Sequence, residues 1–315
     1  MSVSSDWTER WWYALGSDAH CQIAGGPDGL ATRVGDEVER LEQCWSRFRA
    51  DSELVALNSS HATRVRVSRP LAEALHRAVL AWRLTDGWFD PTVIDSLEAA
   101  GYDSSFRSAD VTRGDLGRCR TSRGLDDVEV DLDGGFVVRP PGLRFDLGGI
   151  GKGLAADMLA VQLIEWGATS VCIGLGGDVR IAGEAPSGGW RIPVEYPRTS
   201  GLGERDDTWF DAALTDGAIV ASTTRFRRWT TIDGELVHHL IDPRTGRPSR
   251  SGVETVVVAA AEAWWAEVLA KSALLAGPFA GRRLLDRHGV QGWLIEDPAD
   301  PEVDDLVRRA AEVLA

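Results

Sequence analysis

Leu30, Val34, Val38, Leu41 and Trp45 recur at three- and four-residue intervals with acidic residues between them, which predicts an amphipathic helix from about Leu30. Leu71, Leu75, Ala78, Val79 and Trp82 repeat the pattern after Ser68 and Pro70, which suit a helix start, and Gly87 stops the run. Ala155, Met158, Leu159, Leu163 and Ile164 mark a helix over Leu154 to Trp166. Glu262 to Ala276, Pro278 to His288 and a charged segment from Pro301 to Ala315 complete the predicted helices.

Elsewhere apolar residues alternate or run together as strands do: Trp11 to Ala24, Thr169 to Gly174, Val179 to Ile181, Trp190 to Tyr196, Phe210 to Ser222, Thr255 to Ala260 and Gln291 to Glu296. Val128 to Asp133 and Phe136 to Arg139 flank a glycine turn, and Phe226 to Ile232 and Glu235 to Ile241 flank Asp233-Gly234, so both pairs read as hairpins. Segments 103–123 and 199–207 read as surface connections. Interspersed helices and strands with several hairpins predict an α+β fold, one compact domain of two joined lobes with mixed or antiparallel sheets and flanking helices. The domain is expected over 15–315, with 1–14 as an N-terminal tail.

Composition narrows the function. At 315 residues and 43% hydrophobic content the chain can bury a large core, and a net charge of −14 argues against a nucleic-acid partner. Arg225, Arg227 and Arg228, interleaved with Phe226 and Trp229, read as a strand edge. No apolar run reaches the roughly 20 residues of a membrane span and no signal-peptide pattern opens the chain, so a cytoplasmic protein is expected. Cys21, Cys44, Cys119 and Cys172 are widely spaced, which offers neither a zinc site nor a disulfide framework.

The densest candidate chemistry lies in Arg144 to Gly153, read as a strand, a glycine turn and a helix start. Such a turn exposes backbone N–H groups to a phosphate or pyrophosphate, and Lys152 adds a full charge; tight packing of the turn is the alternative. Lys152 and Lys271 are the only lysines, against 34 − 2 = 32 arginines. They stand where a compact point charge rather than a planar fork is called for. Phe48 is a stacking platform or a core residue, and Asp90 and Thr92 flank Pro91 in a turn that presents a carboxylate and a hydroxyl. His238 and His239 are adjacent in a strand, so only one of them can face a given site.

Taken in order, Ser46-Arg47-Phe48-Arg49 with Asp51 to Leu54 and Asn58, Phe89-Asp90-Pro91-Thr92, Asp146 to Gly153, Gly176-Gly177-Asp178, His239 to Gly246, and Ala266-Glu267 to Lys271 resemble the FAD:protein FMN transferase (ApbE) family. The resemblance implies an ApbE-like flavin-binding domain that moves FMN from FAD onto a Ser or Thr of an acceptor protein and releases AMP. It places Phe48, Asp90, Thr92, Asp146, Gly149, Lys152, Ile241 and Lys271 around FAD, with His239 as general base. A non-catalytic FAD-binding protein and an FAD pyrophosphatase giving FMN and AMP are the alternatives.

The same resemblance implies a Mg²⁺ ion held by the Gly149 carbonyl and by an Asp and a Thr four residues apart on the late helix. Here those two positions are Glu267 and Lys271. Glu267 can still ligate a metal, whereas an ammonium repels a dication. Glu267 and Lys271 therefore form either an ordinary helix ion pair or a site where Lys271 replaces the metal.

Overall fold

The computed structural model describes residues 7–104, 114–122, 124–195 and 208–296. The expected helix over 301–315 and the loop over 199–207 lie outside them.

The chain opens with β1 (Trp7–Ala14) and β2 (Ser17–Ala24). The single strand expected from Trp11 to Ala24 is thus a hairpin whose first strand begins earlier, at Trp7, inside the expected tail. Leu15 and Gly16, with φ of 52° and 70°, supply the two left-handed residues of its turn. The periodic face of α1 (Leu30–Trp45) buries Val34, Val38 and Leu41 completely. Next come α2 (Glu53–Ser59), capped by the Ser52 hydroxyl, β3 (Arg64–Arg66), α3 (Arg69–Leu84), capped by Ser68, and α4 (Ile94–Ala99).

Strands β4 (Glu129–Asp131) and β5 (Phe136–Val138) form the predicted hairpin, with β3 on the other edge of β5. No strand precedes the glycine turn: residues 143–147 are irregular, and α5 (Gly151–Glu165) follows directly. Then come β6 (Ser170–Leu175), β7 (Asp178–Gly183), β8 (Trp190–Glu195), β9 (Thr208–Leu214) and β10 (Gly217–Thr223). The run Phe210 to Ser222 is therefore two strands, which belong to different sheets. Short pairs β11 (Arg228–Thr230) with β12 (Leu236–His238), and β13 (Ile241–Asp242) with β14 (Arg247–Pro248), lead to β15 (Val253–Ala260), α6 (Ala263–Ala276), α7 (Pro278–Arg287) and β16 (Gln291–Glu296).

The main sheet has the order β1-β2-β6-β7-β10-β15-β16, and every described pair in it is antiparallel. Helices α5 and α6 pack on one face of its centre, and the β8–β9 hairpin covers apolar residues of β6, β7, β10 and β15 in a separate cluster with Trp190 and Phe210. Two larger cores correspond to the expected lobes. One joins β2, β6, α1, α3 and α5; the other joins β15, α6 and α7.

The lobes meet where α5 crosses α6. A Cβ on Gly153 would lie 2.4 Å from the Ala263 carbonyl oxygen, so the crossing requires glycine there. Asp157 fixes the same crossing by accepting hydrogen bonds from the Ala263 and Trp264 N–H groups at 2.9 and 2.8 Å. These are two of the donors left over at the start of α6. The connection 114–122 is more than surface loop: Leu116 and Cys119 are buried with Tyr102, Trp229 and Ile241 in a small core.

Candidate functional site

A pocket of about 370 Å³ opens between the β1–β2 turn, the segment after α1, the glycine turn, and the strands that follow β11. Phe48, Asp90, Asp146, Gly149, Lys152, His239, Ile241 and Lys271 all line it. Thr92 does not: its hydroxyl and N–H both donate to Asp90 Oδ1, at 2.6 and 2.7 Å, so it orients the carboxylate. The Ser122 hydroxyl donates to Asp90 Oδ2. The turn therefore presents to the pocket a carboxylate held from both sides, but not the hydroxyl expected of Thr92.

One wall is aromatic. Phe48 is 41% exposed, lies over the Arg47 guanidinium at 4.1 Å from its ring centroid, and meets Tyr102 edge-on at 5.6 Å. Such a ring is available for stacking rather than committed to a core. Arg47 is fixed beneath it, donating to the Tyr102 carbonyl at 2.7 Å and pairing with Asp146 at 3.3 Å. Asp146 in turn accepts the Gly148 N–H at 2.7 Å, and its own N–H donates to the Pro91 carbonyl at 2.7 Å, tying the two loops together.

The glycine turn is not the open row of donors that its sequence suggests. The Gly148 N–H goes to Asp146, those of Ile150 and Gly151 to the Leu147 carbonyl, and that of Gly153 to Glu267 Oε2 at 2.9 Å. Positive charge at the pocket's floor comes instead from side chains.

Lys152 is bound by Asp178, a residue of the fourth motif that the sequence did not single out as a site residue. Glu267 Oε1 sits 3.9 Å from the Lys152 ammonium and 3.7 Å from that of Lys271. That oxygen and Asp178 Oδ1 are buried without a hydrogen-bond partner among the described residues. The two lysines respond oppositely. Burial pulls Lys152 down, but Asp178 and Glu267 outweigh it and hold its pKa above the ordinary value; burial lowers Lys271, and Lys152 adds to the effect.

Among the described residues no group of three or more His, Cys, Asp or Glu is placed to hold a metal ion. Glu267 has one oxygen on a backbone N–H and the other between two ammonium groups, so the residues present do not fit the Mg²⁺ that the resemblance implies.

The strand expected to run from Glu235 to Ile241 stops at His238, the last residue of β12; His239 lies in the bend that follows, and the chain's turn there, not alternation within a strand, sends the two imidazoles apart. His238 is buried away from the pocket, its Nε2 facing the Ser249 carbonyl at 3.0 Å and its Nδ1 accepting the Leu240 N–H at 3.2 Å, and burial lowers its pKa to about 4. His239 meets Tyr102 edge-on at 6.2 Å, and its Nδ1 is buried without a hydrogen-bond partner among the described residues. Burial foremost, then Arg227 and Lys271, push this imidazole well below its ordinary range, so it is neutral at pH 7.

Arg227 is the functional candidate most plainly missed. It lines the pocket, reaches Ser17 Oγ at 3.4 Å, and holds a left-handed backbone at φ 51° despite carrying a side chain. The alternation of charge and aromatics around it predicts a strand edge; strained backbone is invisible in sequence. Tyr102, also on the wall, lies in a polar stretch with no periodicity to mark it.

Fold and pocket define an α+β ligand-binding protein whose site sets an aromatic wall against buried paired charges. The ApbE family model matches residues 15–294, and the chain belongs to that family. It is 25% identical over 272 residues to the FAD:protein FMN transferase of Salmonella typhimurium, covering 84% of this chain and 76% of that protein. With the FAD:protein FMN transferase of Treponema pallidum it shares 29% identity over 262 residues, 76% of this chain and 69% of the relative. The flavin transferase ApbE from Vibrio cholerae superposes with a TM-score of 0.77 over 93% of this chain and 94% of that one, at 24% identity.

Proposed function

We propose that this chain transfers FMN from FAD onto the hydroxyl of a Ser or Thr in an acceptor protein, with release of AMP. The named activity of the curated relatives supports the reaction, and the observation that carries it to this pocket is His239. A neutral, half-buried imidazole that lines the pocket and makes no hydrogen bond through its buried Nδ1 is a base available to an O–H donor in the pocket.

In the proposed step the acceptor oxygen forms a bond to the phosphorus on the FMN side of the diphosphate. The bond from that phosphorus to the bridging oxygen breaks, and its electron pair leaves with AMP. The hydroxyl proton passes to His239, whose basicity rises as the anionic substrate enters its surroundings. Phe48 and Tyr102 offer surface for the flavin ring, while Asp90 and Asp146 offer acceptors for the substrate's N–H and O–H groups. Lysine charge at the floor offsets the diphosphate.

All four cysteines are free and buried, which supports a reducing, cytoplasmic setting. No described helix is long and apolar enough to cross a membrane.

The test is incubation of the purified chain with FAD and an extract of its own host cells. Denaturing gels are then read for flavin fluorescence, and AMP is followed by chromatography. Covalently fluorescent bands that accumulate with AMP support the transfer; AMP without them points to hydrolysis, and neither product overturns catalysis.

A further inference from the structure

Both lysines of the chain meet in one pocket, yet they are not equivalent. Lys152 is consumed by Asp178. Lys271 makes no hydrogen bond among the described residues, and its nearest acidic oxygen, Glu267 Oε1, is 3.7 Å away. Its side chain is only 16% exposed and borders the pocket. A desolvated ammonium with unused donors is a poor structural element and a ready anion ligand.

Its position is fixed with care. Lys271 rises from α6 one turn after Glu267, and α6 is locked to the start of α5 by the Gly153 crossing and the Asp157 hydrogen bonds. Around the ammonium there is little room: a Cβ on Gly149 would stand 3.0 Å from Lys271 Nζ and 3.0 Å from Phe89 Cε2. A planar guanidinium would not fit so closely against that turn, which accounts for lysine in a chain that otherwise uses arginine.

We propose that Lys271 is the pocket's own fixed cation, and that it engages the diphosphate of FAD directly, so that binding needs no divalent metal. The proposal rests on the reading of the pocket as an FAD site. It answers the misfit at Glu267: that carboxylate holds two ammonium groups and one backbone N–H and serves as their common counter-ion. With the N–H groups of Gly148, Ile150, Gly151 and Gly153 already engaged, Lys271 is a cationic donor at the pocket floor still free to meet the phosphates, with Arg227 on the wall beside it.

Flavin-fluorescence titration of the purified chain with FAD, in Mg²⁺ and in EDTA, tests this. The wild type is expected to bind equally in both, within about two-fold. Folded Lys271→Met, checked by circular dichroism, is expected to lose about ten-fold or more in both, the loss of one charge-assisted contact. Manganese added to the wild type, followed by its paramagnetic resonance signal, is expected to stay free. Wild-type binding that appears only with Mg²⁺, stoichiometric manganese binding in the pocket, or Lys271→Met binding like the wild type would each overturn the proposal. Absence of FAD binding under both conditions from a folded wild type removes the flavin reading itself, a result distinct from metal dependence.

Discussion

Gly153 and Ala263 touch backbone to backbone: a methyl group on the glycine would lie 2.4 Å from the alanine carbonyl oxygen and 2.5 Å from its carbonyl carbon. Neither atom can swing aside as a side chain would. Gly153→Ala is expected to cost about 2 kcal/mol or more, read as a lower denaturant midpoint, because overfilling a packed contact forces main chains apart. Stability equal to wild type would mean that α5 and α6 are not so closely held.

The two adjacent histidines are expected to fail differently. His239→Ala keeps FAD affinity and loses transfer, since it removes a pocket base and no structural hydrogen bond. His238→Ala leaves the Ser249 carbonyl and the Leu240 N–H unpaired and is expected to lower stability by about 2–4 kcal/mol while retaining transfer. Equal transfer by the two variants would remove the role given to His239.

Acid should weaken the fold through His238. Its folded pKa of about 4 lies below its ordinary 6.5, so the unfolded chain binds the proton more readily. The contribution is complete above about pH 6.5 and is lost progressively as pH falls toward 4, amounting to about 2 kcal/mol by about pH 5. Melting temperatures measured between pH 8 and 4 should fall across that window, and His238→Gln should fall less steeply. Parallel profiles for the two proteins would refute the assignment.

Arg139 is 1% exposed and donates to the carbonyls of Leu57 and Ser60, both at 2.7 Å, and of Leu143 at 2.6 Å. Its fork closes the end of α2, where carbonyls have no helical partner. Arg139→Lys is expected to cost about 2 kcal/mol, because a single ammonium cannot span three carbonyls on two segments. Thermal denaturation checks it, and an unchanged melting temperature would refute it.

What the sequence disclosed follows from what is periodic in it. The buried face of α1, the Ser68 cap of α3 and the hairpins around Gly134 and Gly234 depend on local spacing and turn chemistry, and all were legible. The motif residues around Phe48, Asp90, Asp146, Lys152, His239 and Lys271 also converge on one pocket. Illegible were partnerships made across the fold. Lys152 meets Asp178 from another element, Thr92 turns its hydroxyl inward to Asp90, and N–H groups of the glycine turn go to Asp146, the Leu147 carbonyl and Glu267. Residues 143–147 contain apolar positions as a strand would, yet no neighbouring strand pairs with them.

Strand pairing at β11 and β12 aligns Arg228 with His238, Trp229 with Val237 and Thr230 with Leu236. A slip of this pairing by a single residue would carry His238 off its buried partners and displace His239, which follows the last paired residue, without altering one atom of composition. The Asp233-Gly234 turn, which sets that register, thereby acts as an address for both imidazoles. Insertions or deletions in that turn would be read as loss of a histidine that is still there.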